Sequence, residues 1–181
     1  MMSNQNPSSL PGPNLQTQAS HKREVLWQIT IPLVLDTTEA PVLEEALQRI
    51  AGKAVVNSIN LEDGEDRLLK VVDLCKRYGA AVIALTIDEK GMAKTASEKL
   101  AVARRIYDLA VRKHGLESHD LIFDMLTFTL GSGEEEFRKS ALETLEAIRL
   151  VKKELPGVHT SLGVSNVSFG LDPRLRHALN S

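Results

Sequence analysis

Five short stretches of the chain are mostly apolar, at 30–36, 54–59, 80–87, 120–124 and 158–164. Between them run four longer stretches, 39–50, 65–78, 95–114 and 134–154, where apolar residues return every third or fourth position. Short runs apolar on both faces fit strands buried in a parallel sheet, and the longer period fits amphipathic helices packed against it. Their strict alternation predicts repeated βα units and an α/β fold. Punctuation residues agree with these boundaries. Thr38 and Pro41 suit a helix start, Gly79 and Gly115 stand where left-handed C-caps belong, and Pro156-Gly157 stops the fourth helix. A last helix is predicted from Pro173, carrying Arg174, Arg176, Ala178 and Leu179.

The residues that end the apolar runs carry the chemistry. The first run stops at Asp36, the second reaches Asn57, the fourth stops at Asp124, and the fifth breaks into Ser165-Asn166-Val167-Ser168. In parallel α/β folds the ligand site forms just past the strand carboxyl ends. Two carboxylates and two amides there suit a flat heterocycle with several ring N–H groups, and a pterin is such a ring. Asp124 is the first choice for the donor-rich edge, because an ionised carboxylate accepts two N–H bonds side by side. Each residue also has a plainer reading. Asp36 in Asp-Thr-Thr-Glu suits a helix N-cap, Asn57 a turn, and Asp124 the ordering of its own loop. Asp88, in Leu85-Thr-Ile-Asp-Glu-Lys-Gly91, ends a strand as well.

Composition narrows the function more than it defines it. The 181 residues suffice for one domain with a core, yet an eight-stranded (β/α) barrel needs about 250. A net charge of -2 and a pI near 6.2 give no electrostatic reason to expect a nucleic acid or membrane partner. The lone Cys75 cannot form an internal disulfide, which suits a reducing cytoplasm, and its helical context points to packing. Residues 1–24 are rich in Ser, Asn, Gln and Pro and are expected to be a disordered tail ahead of a domain at 25–181. On the third helix Lys99, Arg104, Arg105, Arg112, Lys113 and His114 lean toward the end, where they complement the helix dipole, as Glu134-Glu135-Glu136 would at the start of the fourth. His114, His119 and His159 lack metal-ligand spacing, so no metal is expected. Gly131-Ser-Gly133 is too short for a phosphate loop and precedes acidic residues.

The pieces LVLDTTE, GKAVVNSINLEDGE, CKRYGAAVIALTIDEKGMAKT, IFDMLTFTLGSG and LGVSNVSFGL, in this order, span roughly four fifths of the chain. Together they resemble the pterin-binding domain of cobalamin-dependent methionine synthase. The resemblance implies an incomplete TIM-type (β/α) barrel of about five parallel strands resembling strands three to seven, truncated at both ends. It implies methyltetrahydrofolate as substrate, with its N5 methyl passing to a cobalamin on a separate domain or protein. Asp36, Asn57 and Asp124 would then hold the pterin, and Asn166 would stabilise charge at N5. Ser165 and Ser168 would support its loop, Arg174 or Arg176 would reach the ligand, and Asp88 would shape the barrel mouth. One departure is visible: some relatives have Asp-Pro-Asn where this chain has Asp124-Met125-Leu126. An inactive fragment or a non-catalytic pterin-binding module is the alternative. Dihydropteroate synthase chemistry would want a lysine near Asn166, and a five-stranded flavodoxin-like module would want a phosphate-cradling loop after its first strand. A thiolate zinc site for homocysteine needs more than one cysteine.

Overall fold

A computed structural model describes residues 31–37, 39–132 and 135–180. The tail expected at 1–24 and the Thr38 cap lie outside the described residues. The elements follow in order β1 (Val34–Asp36), α1 (Ala40–Leu47), β2 (Val55–Ile59), α2 (Glu65–Tyr78), β3 (Ala81–Leu85), a small hairpin of β4 (Ile87–Asp88) and β5 (Gly91–Met92), α3 (Ala96–Tyr107), β6 (Leu121–Asp124), α4 (Ser140–Glu154), β7 (His159–Ser161) and α5 (Pro173–Asn180). A π-helical segment, Asp108–Lys113, extends α3.

The five main strands are all parallel and lie in the order β1-β2-β3-β6-β7. Each new strand is therefore added beside the one before it. A doubly wound sheet reverses direction at a switch point, whereas a barrel keeps adding strands one way round. The order fits part of a (β/α) barrel and argues against the flavodoxin-like alternative.

Alternation along the strands gives the sheet two unlike faces. Val56, Val82, Ala84, Leu121 and Phe123 share one face and are buried. Helical residues close over them: Leu43 and Leu47 from α1, Leu68, Val72 and Cys75 from α2, Leu100, Ala103 and Ile106 from α3, and Ala147 and Val151 from α4. The opposite face carries Asp36, Asn57, Ile83, Leu85, Ile122 and Asp124, and none of these is fully buried.

Local signals account for most boundaries. Gly79 ends α2 at φ 66, in the left-handed region, and the Ala80 N–H bonds back to the Cys75 carbonyl at 2.9 Å. Thr95 and Glu98 open α3 with a reciprocal capping box. Asp36 is not the cap of α1, whose N-cap is Glu39, with Pro at the first turn. Two expectations are corrected. The acidic cluster does not begin the fourth helix: Glu135–Phe137 form a separate 3-10 turn and α4 starts only at Ser140. The Ser140 hydroxyl accepts from the Phe128 N–H at 2.8 Å, and that long-range tie fixes the start. Lys99 is not a dipole-complementing surface residue either. It lies one turn into α3 and is 0% exposed, in phase with buried Ala96, Ala103, Ile106 and Ala110.

Candidate functional site

The carboxyl ends of the strands gather the polar residues. Asp36 is in register with Asn57, Asn57 with Ile83, and Ile83 with Ile122. Asp124 follows Ile122 by two residues and so faces the same way, level with Leu85 and Ser161. Asp36, Asn57 and Asp124 thus stand on the open face at one end of the sheet. Asn57 and Asp124 are half-buried and Asp36 is exposed.

Asp124 is the most constrained of them. Its Oδ1 accepts the Leu126 N–H at 2.8 Å, and burial raises its carboxyl above the ordinary aspartate range. The loop-ordering reading of Asp124 is therefore correct as far as it goes, and it is compatible with a ligand on the remaining lone pairs. Thr86 Oγ1 donates to the Met125 carbonyl at 3.1 Å, and Thr144 Oγ1 to the Leu126 carbonyl at 2.9 Å. Phe128 stacks on Phe137 with ring centroids 4.4 Å apart, closing the far side of the loop. The loop after β6 is thus held by Thr86 just past β3, Thr144 on α4 and Phe137 on the 3-10 turn before it.

The β7 end is built differently. Asn166 closes a one-turn 3-10 segment, Val164–Asn166, and is exposed. Its N–H donates to the Gly163 carbonyl at 3.0 Å, and its amide lies so near Gly163 that an added Cβ would come within 3.2 Å of Nδ2. Ser165 is exposed, while Ser168 is buried, its Oγ 2.9 Å from Asn180 Oδ1 on α5 and 3.3 Å from the Ser165 carbonyl. Ser168 therefore ties the loop to α5. Asp172 starts that helix by accepting the Arg174 N–H at 2.9 Å; Arg174 is exposed and Arg176 half-buried. Asp88 accepts the Lys90 N–H at 2.9 Å and so orders the β4–β5 turn. Arg105 pins that hairpin from α3 with two 2.8 Å bonds to Glu89, and these pull the Glu89 carboxyl down to about 2.

The sequence did not single out Thr86, Thr144 or Ser140, whose hydroxyls order the β6 loop. Thr86 and Thr144 carry a usable signal, being polar residues in the apolar phase of β3 and α4. At the amino end of the sheet Lys53 pairs with Asp120. Among the described residues no group of three His, Cys, Asp or Glu side chains is placed to hold a metal ion, and no helix is long and apolar enough to cross a membrane.

A parallel sheet whose strands are added one way round, alternating with helices, defines an α/β protein of barrel type. A family model described as pterin binding enzyme matches residues 19–180. The chain belongs to that family. It is similar to the methionine synthase of Mycobacterium leprae, at 47% identity over 155 residues, and to that of Mycobacterium tuberculosis, at 46% over 155 residues. Each match covers 84% of this chain but 13% of the relative, so the chain spans a small part of the length of these proteins.

Proposed function

We propose that the chain is the pterin-reading part of a corrinoid-dependent methyltransferase of the methionine synthase type, with methyltetrahydrofolate as substrate. The observation that carries this reading is the convergence of Asp36, Asn57 and Asp124 on the open face at one end of the sheet. Asp124 accepts the paired N–H donors of the pterin 2-amino and N3 edge, and Asp36 and Asn57 take the other ring nitrogens. A carboxylate–donor pair of this kind is worth more than a neutral hydrogen bond and penalises a ring lacking the donors. Asn166 lies on the neighbouring loop, and its amide stabilises positive character or a proton at N5 as the methyl leaves. Arg174 or Arg176, the first exposed and the second half-buried on α5, reaches the ligand from the neighbouring helix.

The methyl acceptor is a cobalamin held on a separate domain or protein, and it supplies the nucleophile. The acceptors at these strand ends fit ring N–H groups, so this chain's part is to bind and orient the pterin. Calorimetric titration with methyltetrahydrofolate, beside a methyl-transfer assay with added corrinoid, tests the reading. Asn166→Ala is expected to slow transfer while affecting affinity less. An unchanged rate together with reduced affinity would remove Asn166 from the chemistry.

A further inference from the structure

A wholly buried lysine needs a reason, since burial disfavours its charge and the first turns of a helix disfavour a cation. Lys99 has both disadvantages, 0% exposed near the start of α3. Its Nζ donates to the main-chain carbonyls of Met125 at 2.6 Å and Leu126 at 3.0 Å, the two residues that follow Asp124. Leu126 has φ 51, a left-handed conformation that a leucine adopts only when its surroundings enforce it. In this conformation its N–H points at Asp124 Oδ1.

Resting on the reading of Asp124 as the pterin contact, we propose that Lys99 is the positioning residue of this site. Its ammonium holds the Met125 and Leu126 carbonyls so that the Leu126 N–H fixes the plane of the Asp124 carboxylate toward the open face. Thr144 shares the Leu126 carbonyl and Thr86 the Met125 carbonyl, but they are neutral donors and hold less strongly. Lys99 also acts through its field. Burial pulls its ammonium down to about 8, against the opposing pull of Asp124 from β6, Glu143 from α4 and Glu98 from its own helix, which face it and favour its charge. The Lys99 charge in turn lowers the Asp124 carboxyl against the rise that burial causes. Loss of the Lys99 proton therefore weakens the clamp and the ionised carboxylate together.

The test uses the full chain with carboxyl-carbon-labelled aspartate, followed by NMR. In the wild type the Asp124 carboxyl resonance should show a second inflection in the alkaline range as Lys99, lowered by burial to about 8, loses its proton. Lys99→Met should abolish that inflection, raise the Asp124 pKa further and weaken methyltetrahydrofolate binding about tenfold. Thr144→Val, which leaves the charge, should keep the inflection. A wild type with no Lys99-linked inflection at any alkaline pH where the chain stays folded overturns the proposal whether or not Lys99→Met folds, as does a Lys99→Met chain that binds pterin like the wild type. A chain that shows the inflection but binds no pterin refutes the proposed function and supports the Lys99–Asp124 coupling on its own.

Discussion

Ile122 and Phe123 are neighbours in β6 and live in different worlds. Phe123 is 0% exposed against the helices, while Ile122 is half-buried on the face that carries Asp36, Asn57 and Asp124. The first face is made of aliphatic and aromatic side chains that the helices close completely, so its residues answer to packing. The second keeps carboxylates and amides in positions that packing alone would give to apolar groups. The sheet therefore divides its labour by face, and along the open face by end, with chemistry at the carboxyl termini of the strands.

The sharpest way to break this comparison is to truncate the two neighbours. Phe123→Ala is expected to destabilise the fold by about 3–5 kcal/mol, and Ile122→Ala by about 1 kcal/mol, because it gives up only part of its buried area. Denaturant unfolding measures both. Equal losses would mean that the open face is packed after all.

Asp124→Asn should separate the two kinds of work in one residue. Methyltetrahydrofolate binding is expected to weaken by roughly 2 kcal/mol, because an acceptor for two donors becomes partly a donor itself. Stability should move the other way. The folded Asp124 carboxyl is raised above its unfolded value, so the native state binds more protons in that window and stability falls as pH rises through it. Above the window ionised Asp124 is a burden that Asn lacks, and the Asn oxygen can still accept the Leu126 N–H. At neutral pH the variant should therefore melt slightly higher while binding less, and a lower melting temperature would assign Asp124 to the fold instead of the ligand.

Gly79→Ala leaves binding untouched and gives the cleanest contrast. Its φ of 66 is costly for alanine although no atom lies within 4 Å of the added Cβ, so about 1 kcal/mol of stability is expected to go. Gly79 precedes β3, at the amino end of the sheet. Pterin affinity measured by calorimetry on the folded variant should not change.

The difference between the faces also explains what the sequence revealed. Strands and helices were legible because the covered face imposes an apolar period, and Gly79 and Thr95 mark boundaries by local rules that need no tertiary partner. Strand-end polar residues stood out as interruptions of that period. What escaped were places where distant contacts overrule local preference. The start of α4 is set by Ser140 meeting Phe128, not by the acidic residues before it. By charge alone Lys99 reads as one of several surface cations, although its phase with Ala96, Ala103 and Ile106 places it among buried positions. Its carbonyl partners on the β6 loop are 26 and 27 residues away, beyond any local pattern.

The single cysteine turns the covered face into a clock. Cys75 is 0% exposed under the sheet, and burial pushes its thiol up to about 12, so the folded chain offers a labelling reagent almost no thiolate. Modification must wait for the helix layer to open. With reagent scarce relative to reclosing, the labelling rate reads the free energy of that opening; with reagent in excess it reads the opening rate itself. A bound pterin on the far side of the sheet would then register as a slower clock, without any probe having been introduced.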